Sequence, residues 1–270
     1  MFRFFLLLLV TLALGANERE QTICGFIKEP LVFWFWSSKA PNPDPQRVAN
    51  IPFLSHNIFL TSDYKRLHGY IYYANDGEQI IPPKGSLLIF MGNAMSADAI
   101  VGFFKNYTLK GYDVYVYDYR GYGNSEGKRR LHAILEDAKE IAASLATLYE
   151  RKLILGISLG GFVAVNVAAS GVAYDKIALD SAPSFLSPYG CPASIDPIEV
   201  LPQNASKFLA MTGGRDEVLG ANILAPLQYM VKERGGATYH GCSFAHAFAD
   251  RDITTHMKRL QALEDFLTAP

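Results

Sequence analysis

The sequence predicts an α/β protein in which a mostly parallel central sheet is covered by helices on both faces. Three observations carry that prediction. Apolar runs of strand length alternate with runs of helical spacing from Asn57 to Leu267. One junction between such runs, Gly156-Ile157-Ser158-Leu159-Gly160-Gly161, places a serine on a tight strand-to-helix turn. The residues best equipped for chemistry, Asn93, Ser158, Asp216 and His246, each follow a predicted strand end, which is where sites gather in parallel sheets.

With 270 residues, half of them hydrophobic, the chain can bury a sizeable core, and one domain is expected. A net charge of −1 leaves no basic footprint for nucleic acid. Residues 1–16 read as a secretory signal: Arg3, the apolar run Phe4–Ala13, then small residues allowing cleavage after Gly15 or Ala16. Retained, the same run is an N-terminal anchor. Export to the periplasm or the medium, or attachment at the membrane, is expected accordingly.

Residues 17–50 form an N-terminal arm and linker, and residues 51–270 the α/β domain. The arm is dominated by aromatic residues from Ile27 to Trp36, which suits peripheral membrane association or packing onto the domain. Prolines between Ala40 and Pro45 mark the connector.

Asn57–Thr61 and Leu67–Tyr73 are β-rich and form a hairpin. Ser86–Phe90 is an uninterrupted apolar strand ending at Met91-Gly92-Asn93-Ala94. A helix over Ala97–Leu109 stops at Lys110 and Gly111. The strand Tyr112–Tyr117 delivers Asp118-Tyr119-Arg120-Gly121-Tyr122-Gly123-Asn124-Ser125 to a loop, and Leu131–Tyr149 is an amphipathic helix. Arg151–Leu155 leads into the serine turn and Phe162–Ala169 leaves it. There the glycines two positions either side of Ser158 let backbone approach backbone. Lys176–Leu179, Lys207–Met211 and Ala237–His240 complete the strands, and Ile253–Leu267 is the closing helix.

Together these blocks resemble the α/β-hydrolase superfamily, in particular its single-domain branch related to serine aminopeptidases and prolyl-oligopeptidase catalytic domains. The matching residues are the strand into Gly92-Asn93-Ala94, the Asp118–Ser125 block, Ser158 in its turn, Gly213–Asp216 and the loop ending at His246, in the order serine, acid, histidine. Two positions depart from the usual pattern. Met91 stands where a histidine commonly precedes the oxyanion glycine, and Tyr64 where a hairpin glycine is expected.

The resemblance implies that Ser158 is the nucleophile, His246 its general base and Asp216 the acid that orients the imidazole. His240 competes with His246 but lies within a strand, and Asp180 and Glu217 compete with Asp216. His56, His68, His132 and His256 have no route to the serine turn. Oxyanion donors would be the amides of Asn93 and Leu159. Asp118 and Arg120 would tie their loop together. The stretch between Asp180 and Lys207 holds Pro183, Pro188, Pro192, Pro197 and Pro202, so it makes turns rather than a helical lid and leaves an open site for small or accessible acyl groups.

Three cysteines suit an export compartment with one disulfide. Cys191 and Cys242 both fall in loops on the site face of such a sheet, and are the expected pair. Neither metal-ligand spacing nor a cofactor motif is present. The expected activity is that of a serine hydrolase, a carboxylesterase foremost. A peptidase or thioesterase with the same triad, or a non-catalytic binding protein, are the alternatives.

Overall fold

A computed structural model describes residues 18–270, and the signal-like run 1–16 lies outside the described residues. Eight strands form one sheet in the order β1-β2-β4-β3-β5-β6-β7-β8. Their ranges are β1 Leu54–Leu60, β2 Arg66–Tyr72, β3 Gly85–Phe90, β4 Tyr112–Tyr117, β5 Arg151–Ile157, β6 Lys176–Asp180, β7 Phe208–Gly213 and β8 Ala237–Gly241. The β1–β2 hairpin and the β2–β4 pairing are antiparallel, and every other pairing is parallel. Parallel strands covered on both faces can carry no alternation. Every residue of β3 and of β4 is buried accordingly.

The described residues contain five helices of ten residues or more: α1 Lys28–Ser37, α2 Leu131–Leu148, α3 Leu159–Ala169, α4 Ala221–Glu233 and α5 Ile253–Thr268. Helix α3 packs against β3, β5 and α2, and α5 packs against β6. The α3 sequence, apolar on every side but for Asn166, matches its position, because only Ala169 among its residues is not buried.

Four differences from the sequence reading have physical causes. The helix expected over 97–109 is broken into Ala97–Ile100, a 3-10 turn at Val101–Phe104 and Lys105–Leu109, with Gly102, a poor helix former, at the break. Helix α4 escapes the pattern because Pro226 interrupts it, although Leu224, Leu227 and Val231 still bury a stripe. Part of the N-terminal arm is helical, as α1. The disulfide joins Cys24 to Cys191 and not Cys191 to Cys242, which is exposed and free. The bond ties the arm to the loop after β6, a long-range contact that spacing along the chain does not encode.

No helical lid follows β6. Between Ser181 and Leu201 the chain makes two 3-10 turns, Ser187–Tyr189 and Ala193–Ile195, and a four-residue helix, Pro197–Val200.

Candidate active site

Strand β5 ends at Ile157, and Ser158 takes φ +52° and ψ −115° before α3 begins at Leu159. A serine in that region is strained, typically by about 1–3 kcal/mol, and is held by its surroundings. Its amide donates to the Asp180 carbonyl at 2.8 Å, and its own carbonyl accepts from the Gly161 amide at 2.9 Å. The glycines are steric necessities. A Cβ on Gly156 would lie 2.5 Å from the Gly160 carbonyl oxygen, and one on Gly160 would lie 1.9 Å from that of Phe90. The turn thereby holds the hydroxyl at the carboxyl edge of the sheet.

His246 reaches this edge on the loop after β8. Its Nε2 lies 2.9 Å from Ser158 Oγ, and its Nδ1 lies 2.8 Å from Asp216 Oδ2. The carboxylate oxygen can only accept, so Nδ1 carries the proton and Nε2 is left to accept the serine hydroxyl. Asp216 Oδ1 accepts from the amides of Val218 and Leu219 at 3.0 and 2.8 Å. Burial works against charge on Asp216, but the His246 hydrogen bond and the two amides outweigh it and hold the carboxyl below its ordinary value. Of the alternatives, His240 is exposed and its Nδ1 pairs with Thr212 Oγ1 at 2.9 Å, while Glu217 is exposed.

Of the two candidate oxyanion residues, Leu159 follows Ser158 directly and Asn93 lies on the loop after β3. Leu159 is the first residue of α3, so its amide is one of the donors that a helix start leaves without an intrahelical partner. The loop after β3 passes close by: a Cβ on Gly92, next to Asn93, would lie 3.5 Å from Ser158 Cβ. That loop is fixed at both ends. Tyr119 Oη donates to the Met91 carbonyl at 2.7 Å, and the buried Tyr122 hydroxyl donates to Asn93 Oδ1. At Met91, where the resemblance expects histidine, the side chain is fully buried, and the Gly92 amide donates to Met95 Sδ at 3.1 Å.

Asp118 and Arg120 lie in the same block but turn inward. Asp118 Oδ1 accepts from the Ala97 amide at 2.8 Å, and burial pushes its carboxyl up to about 6. The fully buried Arg120 guanidinium binds Asp63 and Asp137 through four hydrogen bonds.

Sequence reasoning passed over a buried cluster beneath His246. Arg259 of α5 donates to the Ala245 carbonyl at 2.6 Å and lies 3.2 Å from Asp250 and 3.6 Å from Asp180. Asp250 Oδ1 accepts from the Ala245 amide at 2.7 Å, and Ser181 Oγ from the Ala247 amide at 3.2 Å. The residues before and after His246 are thus gripped by the backbone. Burial drives the Asp180 carboxyl up to about 6 against the pull of Arg259. A signal for this cluster exists in the sequence: Arg259 falls on the buried stripe His256, Leu260, Leu263 and Leu267, and an arginine there demands a buried acid.

A strained serine between a parallel strand and a helix, bonded through an imidazole to an acid after a later strand, on this sheet order, defines the class. The chain has the α/β-hydrolase fold. A family model for serine aminopeptidases of the S33 group matches residues 81–213. No match was found among curated protein sequences. Solved structures with the same fold include an esterase from Pyrococcus furiosus, 15% identical, with a TM-score of 0.65, covering 84% of this chain and 96% of that one. A carboxylesterase from Lactobacillus plantarum is 12% identical with a TM-score of 0.61, covering 80% of this chain and 99% of that one. Esterase 2 from Thermogutta terrifontis, in a structure phosphoramylated by tabun, is 13% identical with a TM-score of 0.62, covering 82% of this chain and 98% of that one.

Proposed function

We propose that the protein is a serine hydrolase that cleaves a carboxylic ester, or a related acyl bond, through an acyl-enzyme. The observation that carries this reading is the continuous hydrogen-bonded chain from Ser158 Oγ through His246 to Asp216. In the first half-reaction His246 Nε2 takes the hydroxyl proton as Oγ attacks the acyl carbon, and the imidazolium is stabilised by Asp216. The tetrahedral oxyanion is received by the amides of Leu159 and Asn93, and loss of one such donor typically costs about a hundredfold or more. His246 then returns the proton to the leaving group. In the second half-reaction a water takes the place of the alcohol, activated by the same imidazole.

The named esterases that share the fold support the ester, and the absence of a helical lid supports small or accessible acyl groups. A peptidase reading is favoured by one observation of its own, the serine aminopeptidase match over 81–213. The Cys24–Cys191 disulfide, with the signal-like run ahead of it, supports an exported protein.

The test is a panel of short- and long-chain p-nitrophenyl esters, a thioester and an aminoacyl anilide, assayed with the wild type and Ser158→Ala. Turnover of short esters that Ser158→Ala abolishes is the expected result. Turnover of the anilide alone would make the protein a peptidase, and ester turnover retained by Ser158→Ala would remove the mechanism.

A further inference from the structure

The N-terminal arm presents an apolar surface that the catalytic reading leaves unused. On α1, Glu29, Phe33 and Ser37 face the domain at four-residue spacing and are buried. Ile27, Leu31, Trp34 and Phe35, at i, i+4, i+7 and i+8, lie on the opposite side, each more than half exposed, and Phe26 just before them is 85% exposed. A run of large exposed apolar side chains this dense marks an interaction surface.

The helix is held in place. Glu29 Oε2 accepts from the amides of Ile23 and Cys24 at 2.7 and 2.8 Å, its Oε1 accepts from the Leu131 amide at the start of α2 at 2.9 Å, and Cys24 is bonded to Cys191. An arm built to fold its aromatics inward would not be fastened with them pointing out. Its exposed side is therefore displayed at no further cost in ordering.

We propose that α1 is a membrane-docking helix, which seats Phe26, Ile27, Leu31, Trp34 and Phe35 in the interfacial layer of an anionic lipid bilayer. Three features favour lipid over a protein partner. Two exposed lysines accompany the stripe, Lys28 within it and Lys39 just beyond the helix, and the one carboxylate of the helix, Glu29, is buried, so the exposed charge of the helix is cationic only. Both tryptophans of the chain, Trp34 and Trp36, are on this helix, the residue type that favours the headgroup level. The chain ahead of Glu18 carries the apolar run Phe4–Ala13, which, where it is retained rather than cleaved, is a second lipid-seeking segment a few residues earlier in the sequence. No helix among the described residues is long and apolar enough to cross a membrane, so α1 lies along the surface.

The docking bears on the site. A narrow apolar groove beneath the helix is lined by Val32, Phe33, Trp36, Leu131, Tyr189 and Leu159, the last being the residue after Ser158. The reading stands without the catalytic one, since insertion needs no turnover.

Because the tryptophans are confined to α1, their fluorescence reports on that helix alone. The full-length protein is mixed with phosphatidylcholine–phosphatidylglycerol vesicles, with and without bromine on the acyl chains. The expected result is a blue shift of the emission, loss of most of its intensity on brominated vesicles, and several-fold weaker binding when phosphatidylglycerol is omitted. The Leu31→Asp, Phe35→Asp double variant, which alters only exposed positions, loses the quenching. Vesicle binding with unquenched tryptophans would mean that residues 1–17 tether the protein without α1, and would overturn the proposal. A blue shift that follows protein concentration without lipid, with a dimer in sedimentation, would assign the surface to a second copy and overturn it equally.

Discussion

Asp180 and Asp216 end neighbouring stretches of the same sheet, and both act on the loop that carries His246, yet they are put to different uses. Asp216, after β7, has its oxygens fully engaged by His246 and two backbone amides, which hold it charged. Asp180, the last residue of β6, is fully buried, has one oxygen without a partner, and faces Arg259 at 3.6 Å. The difference teaches that proximity to the histidine does not choose the acid. The choice is made by the hydrogen-bond donors that surround each carboxylate, since amides aimed at an oxygen favour its ionised form while bare burial opposes it.

The largest effect that separates the two is kinetic. Asp216→Asn leaves Nδ1 without its acceptor, and kcat on the best ester of the panel is expected to fall by on the order of 10⁴. Asp180→Asn is expected to stay within about tenfold of wild type, a barrier change near 1.4 kcal/mol. A reversed order in steady-state assays would hand the acid's role to Asp180.

Next comes the arginine between Asp180 and Asp250. Arg259→Met strands two buried carboxyls and frees the Ala245 carbonyl, and is expected to cost about 3–5 kcal/mol in urea unfolding. A loss under 1 kcal/mol would show that the cluster does not brace the histidine loop.

The pH dependence of stability should separate the aspartates by sign. The Asp180 carboxyl, raised in the folded state from 3.8 to about 6, contributes stability at low pH that is lost as pH rises through that window. Two units correspond to about 3 kcal/mol. Asp216, held below its ordinary value, contributes stability above about pH 4 that is lost as pH falls below it. From pH 4 to pH 7, Asp180→Asn is therefore expected to gain on the wild type, whereas Asp216→Asn keeps a near-constant deficit over that range and closes it as the pH falls below about 4. In pH-resolved chemical denaturation, an Asp180→Asn curve parallel to the wild type from pH 4 to pH 7, or an Asp216→Asn deficit that persists well below pH 4, would contradict the assignment.

The smallest effect tests a departure in the sequence. Tyr64 adopts φ +63° in the β1–β2 turn and its side chain is 82% exposed, so Tyr64→Gly is expected to raise stability by about 0.5–1 kcal/mol in the same denaturation assay.

What could be read in the sequence was what local patterns encode. The parallel strands follow from uninterrupted apolar runs, and the serine turn from glycines whose missing Cβ atoms the backbone requires. Ser158, His246 and Asp216, singled out by their places after strand ends, lie within hydrogen-bond reach of one another. What could not be read depends on long-range approach. Cys24 meets Cys191 across 167 residues of chain. The Arg259 cluster joins helix α5, the end of β6 and the loop after β8. Helices α1 and α3 are both apolar without a polar face, and only the fold shows that one is enclosed and the other displayed.

The most direct test of the account is the intact mass of the protein after exposure to a fluorophosphonate, beside Ser158→Ala and His246→Ala. One adduct on the wild type, none on Ser158→Ala and much slower labelling of His246→Ala is the predicted result. A folded wild type that takes up no adduct, or an adduct that persists in Ser158→Ala, would contradict the proposal that Ser158 is the activated nucleophile.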